Sequence, residues 1–213
     1  MKKRKGIILL IAVLSLLLVI CITAALIISI LPQAKEYGFA RNVSPEERAL
    51  RMQVVAQAES WLGASSISGT HRQIIDIYNG HSPLAVGYKV QYTDKWCATF
   101  VSTVAIQCNL TDIIPTECGC QRQIALFEEM GCWEEADDYI PLPGDVIFYS
   151  STDFDDEDCG GFSDHVGIVV GTCDGYIKVI EGNFLGAVAY HIIPIGERSI
   201  RGYALPNYGD KIS

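Results

Sequence analysis

The chain has 213 residues, 49% of them hydrophobic and 19% charged, which is room for one compact domain with a short appendage rather than two full domains. Sixteen Lys and Arg stand against 25 Asp and Glu, and because four of the bases are clustered at Lys2–Lys5, the remainder holds only 12 bases against all 25 acids. That balance removes the basic stripe a protein needs to follow a phosphate backbone, so nucleic acid is excluded as a partner.

Residues 1–5 form a basic N-terminus, and Gly6 to Leu31 is then a run of 26 residues without a charge. As a helix it is about 39 Å long at about 1.5 Å per residue, enough to cross a hydrocarbon core of about 30 Å with some tilt. A cleaved signal peptide has an apolar stretch of about 7–15 residues followed by a small-x-small site. Here Thr23-Ala24-Ala25 lies inside the run instead. Residues 6–31 are therefore expected to be a transmembrane helix in contact with the lipid bilayer. The positive-inside bias keeps residues 1–5 in the cytoplasm and sends everything after Leu31 outside the cell.

Residues 32–80 read as a spacer and a helical part. Ser44-Pro45-Glu46-Glu47 carries an N-cap, a proline at the first helical position and acids in the first turn. Leu50, Val54, Val55, Ala58 and Leu62 recur at helical spacing through Trp61, with Gly63 as the stop. A short helix follows over 71–78, ending near Asn79-Gly80, with His71 and His81 read as surface residues. A third helix is predicted over 96–108 and a fourth over 121–130, closed by Gly131. The period then becomes strand-like at 145–149, 165–171, 176–181, 187–194 and 202–205, with Asp174-Gly175 as a hairpin turn. Helices followed by hairpin-linked strands make an α+β fold, with residues 81–208 as its chemistry-bearing part.

Cys97 falls in the first turn of the third helix, where unpaired N–H groups and the helix dipole favour a thiolate. His165 heads a core strand and can serve as its base. If the strands around Asp174-Gly175 pair, Glu181 faces His165 across them, and Asn183, two residues on, projects to the same face. Either could hold the imidazole as the third member of a triad. The Cys97 N–H and a donor from Gln91 or Tyr92 are the expected oxyanion ligands. His191 reads as an ordinary polar residue of its strand, and Gly144-Asp145 as a turn.

Four stretches in order, Trp96-Cys97-Ala98-Thr99-Phe100-Val101-Ser102, Pro143-Gly144-Asp145-Val146-Ile147-Phe148-Tyr149, Asp164-His165-Val166-Gly167-Ile168-Val169 and Ile180-Glu181-Gly182-Asn183, resemble the successive motifs of the CHAP family. These are the cysteine- and histidine-dependent amidohydrolases and peptidases. The resemblance covers about residues 92–203. It implies a papain-like cysteine hydrolase, with helices packed on an antiparallel sheet, acting on peptidoglycan through Cys97, His165, Glu181 and Asn183. No acidic calcium loop precedes Cys97, so no metal or other cofactor is implied. The acidic run at 153–158 lacks the ligand spacing of an EF-hand and reads as a solvated loop.

Beyond Cys21 and Cys97, six cysteines remain at Cys108, Cys118, Cys120, Cys132, Cys159 and Cys173. Outside the cell these favour one or more disulfides, although Cys118-Gly119-Cys120 cannot easily bridge to itself. The reading is a single-pass membrane protein with an extracytoplasmic peptidoglycan hydrolase domain. The alternative is a catalytically idle wall-binding or assembly module whose partners are those of an envelope complex, such as a conjugation or secretion apparatus. A third reading keeps the nucleophile but transfers the acyl group to an acceptor other than water.

Overall fold

The structure, a computed structural model, describes residues 36–151 and 161–212. The chain divides into two units, 1–36 and 37–213. The expected transmembrane helix over 6–31 lies outside the described residues, as do the acidic run at 153–158 and Cys159. No helix among the described residues is long and apolar enough to cross a membrane.

Helix α1 spans Pro45–Glu59, and its start is fixed as its sequence directs: the Ser44 hydroxyl accepts from the Glu47 N–H at 3.1 Å, with Pro45 in the first turn. Val54, Val55 and Ala58 are buried, but the helix stops at Glu59, leaving Leu62 exposed. Helix α2, His71–Gly80, buries Ile74, Ile75 and Tyr78. His71 is buried with them and is not the surface residue its polarity suggests. Its ring nitrogens reach the carbonyls of Ser65 at 3.2 Å and Tyr92 at 2.9 Å, and its ring lies 5.7 Å from that of Trp96. A buried polar ring is tolerated when it is hydrogen-bonded, and this ring N–H has a carbonyl acceptor. Here the pairing also anchors the segment leading into the next helix.

Helix α3, Cys97–Cys108, is buried over nearly its whole length and ends at Asn109 in the left-handed conformation. Helix α4 spans Cys120–Glu129. The strands are β1 (Trp133–Glu134), β2 (Val146–Tyr149), β3 (His165–Cys173), β4 (Tyr176–Phe184), β5 (Ala187–Pro194) and β6 (Ile200–Ala204), in one antiparallel sheet of order β1-β6-β2-β3-β4-β5. The α+β class read from the pattern is the one found. The two-residue β1 was not foreseen. Phe148, Val166, Ile168 and Ile180 join the helices in one core, whereas Ile147, Val169, Val179 and Tyr203 form a second cluster. The larger core takes in α1 and α2 together with α3 and the sheet, so residue 80 marks no break in the packing.

Asp174-Gly175 turns β3 into β4 with positive φ at both residues, 50° and 79°, as a two-residue hairpin demands. The Cys173–Tyr176 pairing at this turn would by itself set Glu181 opposite Ile168, and a one-residue bulge between Val169 and Gly171 moves it opposite Gly167, so it does not face His165 directly. Asp145 is more than a turn residue. It is fully buried and binds the Arg51 guanidinium at 2.7 Å, the Tyr139 hydroxyl at 2.9 Å and the Leu142 N–H at 2.8 Å. Burial raises its carboxyl pKa despite that company. The network ties α1 to the loop that enters β2.

Candidate active site

Cys97 is the first residue of α3, so its backbone N–H has no partner within the helix. Two glycines set how the helix and sheet approach one another. A Cβ on Gly182, in β4, would come within 2.3 Å of the Phe100 Cβ in α3. One on Gly167 would come within 2.7 Å of the Glu181 Cγ and 2.6 Å of a Val179 methyl. The first absence lets α3 lie against the strand that carries Glu181; the second leaves room for that side chain to lean along the sheet.

Glu181 is fully buried and reaches His165 diagonally: His165 Nε2 donates to its Oε2 at 3.0 Å. The other oxygen, Oε1, accepts from His191 Nδ1 at 3.1 Å. One carboxylate thus holds two imidazoles. His165 stacks on Tyr149 with centroids 5.8 Å apart, and His191 on Phe184 at 4.8 Å, so aromatic faces fix both rings. Burial and the Glu181 carboxylate together push the Tyr149 phenol well up. Since Glu181 occupies Nε2 of His165, Nδ1 is the nitrogen left for the Cys97 thiol.

The electrostatics agree with that pairing. Burial alone would lower the His165 pKa, but hydrogen bonding to Cys97 and Glu181, and the attraction of their charges, raise it from 6.5 to about 10. The Cys97 pKa is held well below the ordinary thiol value, first by a hydrogen bond from Cys120 and, against burial, by the hydrogen bond and charge of His165. The two groups favour each other's charged forms, which is the condition for a thiolate–imidazolium pair.

Cys97 borders two cavities. One, of about 220 Å³, is lined also by Lys95, Ser151, Asp164, His165 and Asn183. The other, of about 320 Å³, lies toward Cys118, Cys120, Arg122 and Phe162. The structure therefore brings together Cys97, His165 and Glu181, with Asn183 in the cleft wall at φ 59°, where β4 slips register against β5. Gln91 and Tyr92 line neither of these cavities. The Gln91 backbone N–H donates to Asp94, its side chain donates to the Lys89 carbonyl, and the Tyr92 hydroxyl donates to Asp76. Both residues line a separate cavity with Asn79 and Val90.

Two residues were missed by sequence reasoning, His191 behind Glu181 and Cys120 beside Cys97. Cys120 opens α4, and its Sγ lies 3.6 Å from that of Cys97. The disulfides expected among the other cysteines are not formed in the described part of the chain, where Cys97, Cys108, Cys118, Cys120, Cys132 and Cys173 are all thiols. The nearest sulfur to Cys120 is thus the one expected to stand apart, and it meets Cys97 because two helix N-termini converge on the cleft. No cluster of His, Cys, Asp or Glu among the described residues could hold a metal ion.

The fold and this constellation set a cysteine, a histidine and a buried carboxylate together in one cleft on a helix-and-sheet scaffold. The family model described as CHAP domain matches residues 87–183, the stretch that carries Cys97, His165, Glu181 and Asn183. CHAP domains are in general cysteine- and histidine-dependent amidohydrolases or peptidases, of the kind that act on peptidoglycan. The match ends at Asn183, so α1, α2 and the strand bearing His191 lie outside it. No curated protein and no solved structure matches the chain.

Proposed function

We propose that the protein is a membrane-anchored peptidoglycan hydrolase, held by residues 6–31 with its catalytic domain outside the cell, that opens a peptide or amide bond through a Cys97 thioester. The observation that carries this reading is the cavity that Cys97 and His165 share, with buried Glu181 holding the far side of the imidazole, Nε2 to Oε2 at 3.0 Å. The Cys97 thiolate attacks the carbonyl carbon, and the oxyanion that forms is met by the Cys97 N–H at the positive end of α3. The proton on His165 Nδ1 goes to the departing amine, leaving the acyl group on sulfur. His165 then takes a proton from water, which attacks the thioester and returns Cys97 as thiolate.

Glu181 keeps the His165 ring in place and favours its charged form, while Asn183 lines the cleft where substrate enters. Lys95, on the walls of both cavities beside Cys97, suits a substrate rich in carboxylates, whereas the Arg122 guanidinium is already paired with Glu117 at 2.8 and 2.9 Å. The full-length protein in detergent micelles is to be incubated with purified cell walls, and the soluble fragments analysed by mass spectrometry. Release of muropeptides by the wild type and none by Cys97→Ala is the expected result. Intact walls with both proteins would reject hydrolysis in favour of the assembly-module reading.

A further inference from the structure

We propose that Cys97 and Cys120 are a redox pair, a site of reversible covalent modification in which a peroxide joins the two sulfurs and takes the nucleophile out of action. The sulfurs lie 3.6 Å apart, and a disulfide needs about 2.05 Å. The remaining gap is within reach of side-chain rotation, because each cysteine is the first residue of its own helix and only α3 and α4 need hold still. Both are buried, at 5% and 7% exposure, yet both line the cavity of about 320 Å³ that opens beside Phe162. A small neutral oxidant can enter there.

The roles of the two thiols are unequal. Cys97 is the thiolate, so it is the sulfur that attacks peroxide. Cys120 keeps its proton: the hydrogen bond to Cys97 comes first among the causes that raise its pKa, burial second, and the negative charges of Cys97 and Asp164 add to them. Cys97 displaces hydroxide from hydrogen peroxide to give a sulfenic acid. The sulfenic sulfur is then attacked by Cys120, whose proton leaves with the departing hydroxyl as water. Overall two thiols lose two electrons and two protons, and one peroxide becomes two waters. A dithiol reverses the step by exchange.

Cys118, two residues before Cys120, is a poorer partner. It lies against the Arg122 guanidinium at 3.5 Å, and burial raises its pKa. Cys108, at the far end of α3, is likewise pushed up by burial, to about 11. This chemistry concerns the sulfurs alone and stands whether or not the substrate is peptidoglycan.

The test uses the reduced full-length protein in detergent micelles, treated with hydrogen peroxide, alkylated, and digested without reductant after Lys and Glu. Cleavage at Glu117 separates the peptide of Cys97 from that of Cys120. Wild type should yield the two peptides joined through Cys97 and Cys120, and dithiothreitol should restore the Cys97 thiol to alkylation. Cys118→Ser should behave as wild type. Cys120→Ser should carry Cys97 onward to the sulfinic acid, which dithiothreitol does not restore. A wild-type Cys97 that forms no link to Cys120, or pairs instead with Cys108, Cys118 or Cys159, overturns the proposal. So does a Cys120→Ser variant whose Cys97 recovers as fully as that of the wild type.

Discussion

Replacing Glu181 with Gln keeps an oxygen able to accept from His165 Nε2 but removes the buried charge behind the ring. In the folded protein His165 titrates at about 10 against an ordinary 6.5, a preference for imidazolium of about 5 kcal/mol at about 1.4 kcal/mol per pH unit. Cys97 and Glu181 share the task, and an opposite charge in hydrogen-bond contact is worth roughly 1–3 pH units. The ion pair exists between the lowered pKa of Cys97, below which the thiolate is protonated, and that of His165, and is lost as pH rises through about 10. The alkaline limb of kcat/KM should accordingly fall by roughly 1–3 pH units in Glu181→Gln. The rate at the optimum should drop on the order of 10²-fold, the lower end of what a positioned acid–base group contributes. The assay is kcat/KM against pH on a soluble muropeptide, with the pH dependence of iodoacetamide alkylation of Cys97 as a substrate-free readout. An alkaline limb that stays where it is in both measurements refutes the assignment of Glu181 as the group that charges His165.

Asn183→Ala should lower the rate while leaving both limbs in place, read from the same profiles, because an amide in the cleft wall carries no charge to remove. His191→Ala should loosen Glu181 and lower the alkaline limb, and His191→Asn, which restores an N–H donor to Oε1, should recover most of the loss; equal profiles for the two would reduce His191 to packing against Phe184. Arg51→Met leaves buried Asp145 without its cation and should cost about 3–5 kcal/mol in urea unfolding. Gly182→Ala should cost roughly 1–3 kcal/mol by pushing Phe100 and α3 off the sheet, with a larger loss of activity than of stability at 25 °C. Protease added to wall-stripped cells should digest the domain after Leu31, and protection of the domain would rule out an extracytoplasmic catalytic site.

The helices and long strands were legible because local signals and periodicity agreed. Ser44, Pro45 and the two glutamates begin α1 where the cap geometry finds them, and Asp174-Gly175 closes the β3–β4 hairpin with the φ signs its residue types favour. The exact pairing was not legible. His165 was expected opposite Glu181, whereas the position of the Asp174-Gly175 turn, corrected by one residue at the bulge after Val169, puts Gly167 there. The error was two residues, and a two-residue offset keeps every side chain on its own face. His165 therefore still meets Glu181, across a diagonal, and a one-residue error would have separated them. Strand β1, with two residues, has no period to read, and it exists because Trp133 and Glu134 find an open edge on β6.

The cleft itself depends on contacts that no local pattern encodes. Cys97 and Cys120 lie 23 positions apart on different helices, and their meeting follows from where the 109–119 connection turns. Ser102 helps to set that turn: its hydroxyl donates to the Glu117 carbonyl at 2.7 Å and accepts from the Glu117 N–H at 2.8 Å. The Glu117 carboxylate in turn accepts from the N–H groups of Cys118 and Gly119, the residues just before α4. A serine five residues after Cys97 thus clamps the backbone that delivers the second thiol. Only the closed loop of hydrogen bonds makes that serine legible as part of the site. The same holds for His191, an imidazole on an edge strand, the commonest place for a solvated polar residue, until β4 turns a buried carboxylate toward it. In both cases the residue type was visible, and its role arose from the tertiary neighbour that removed it from water.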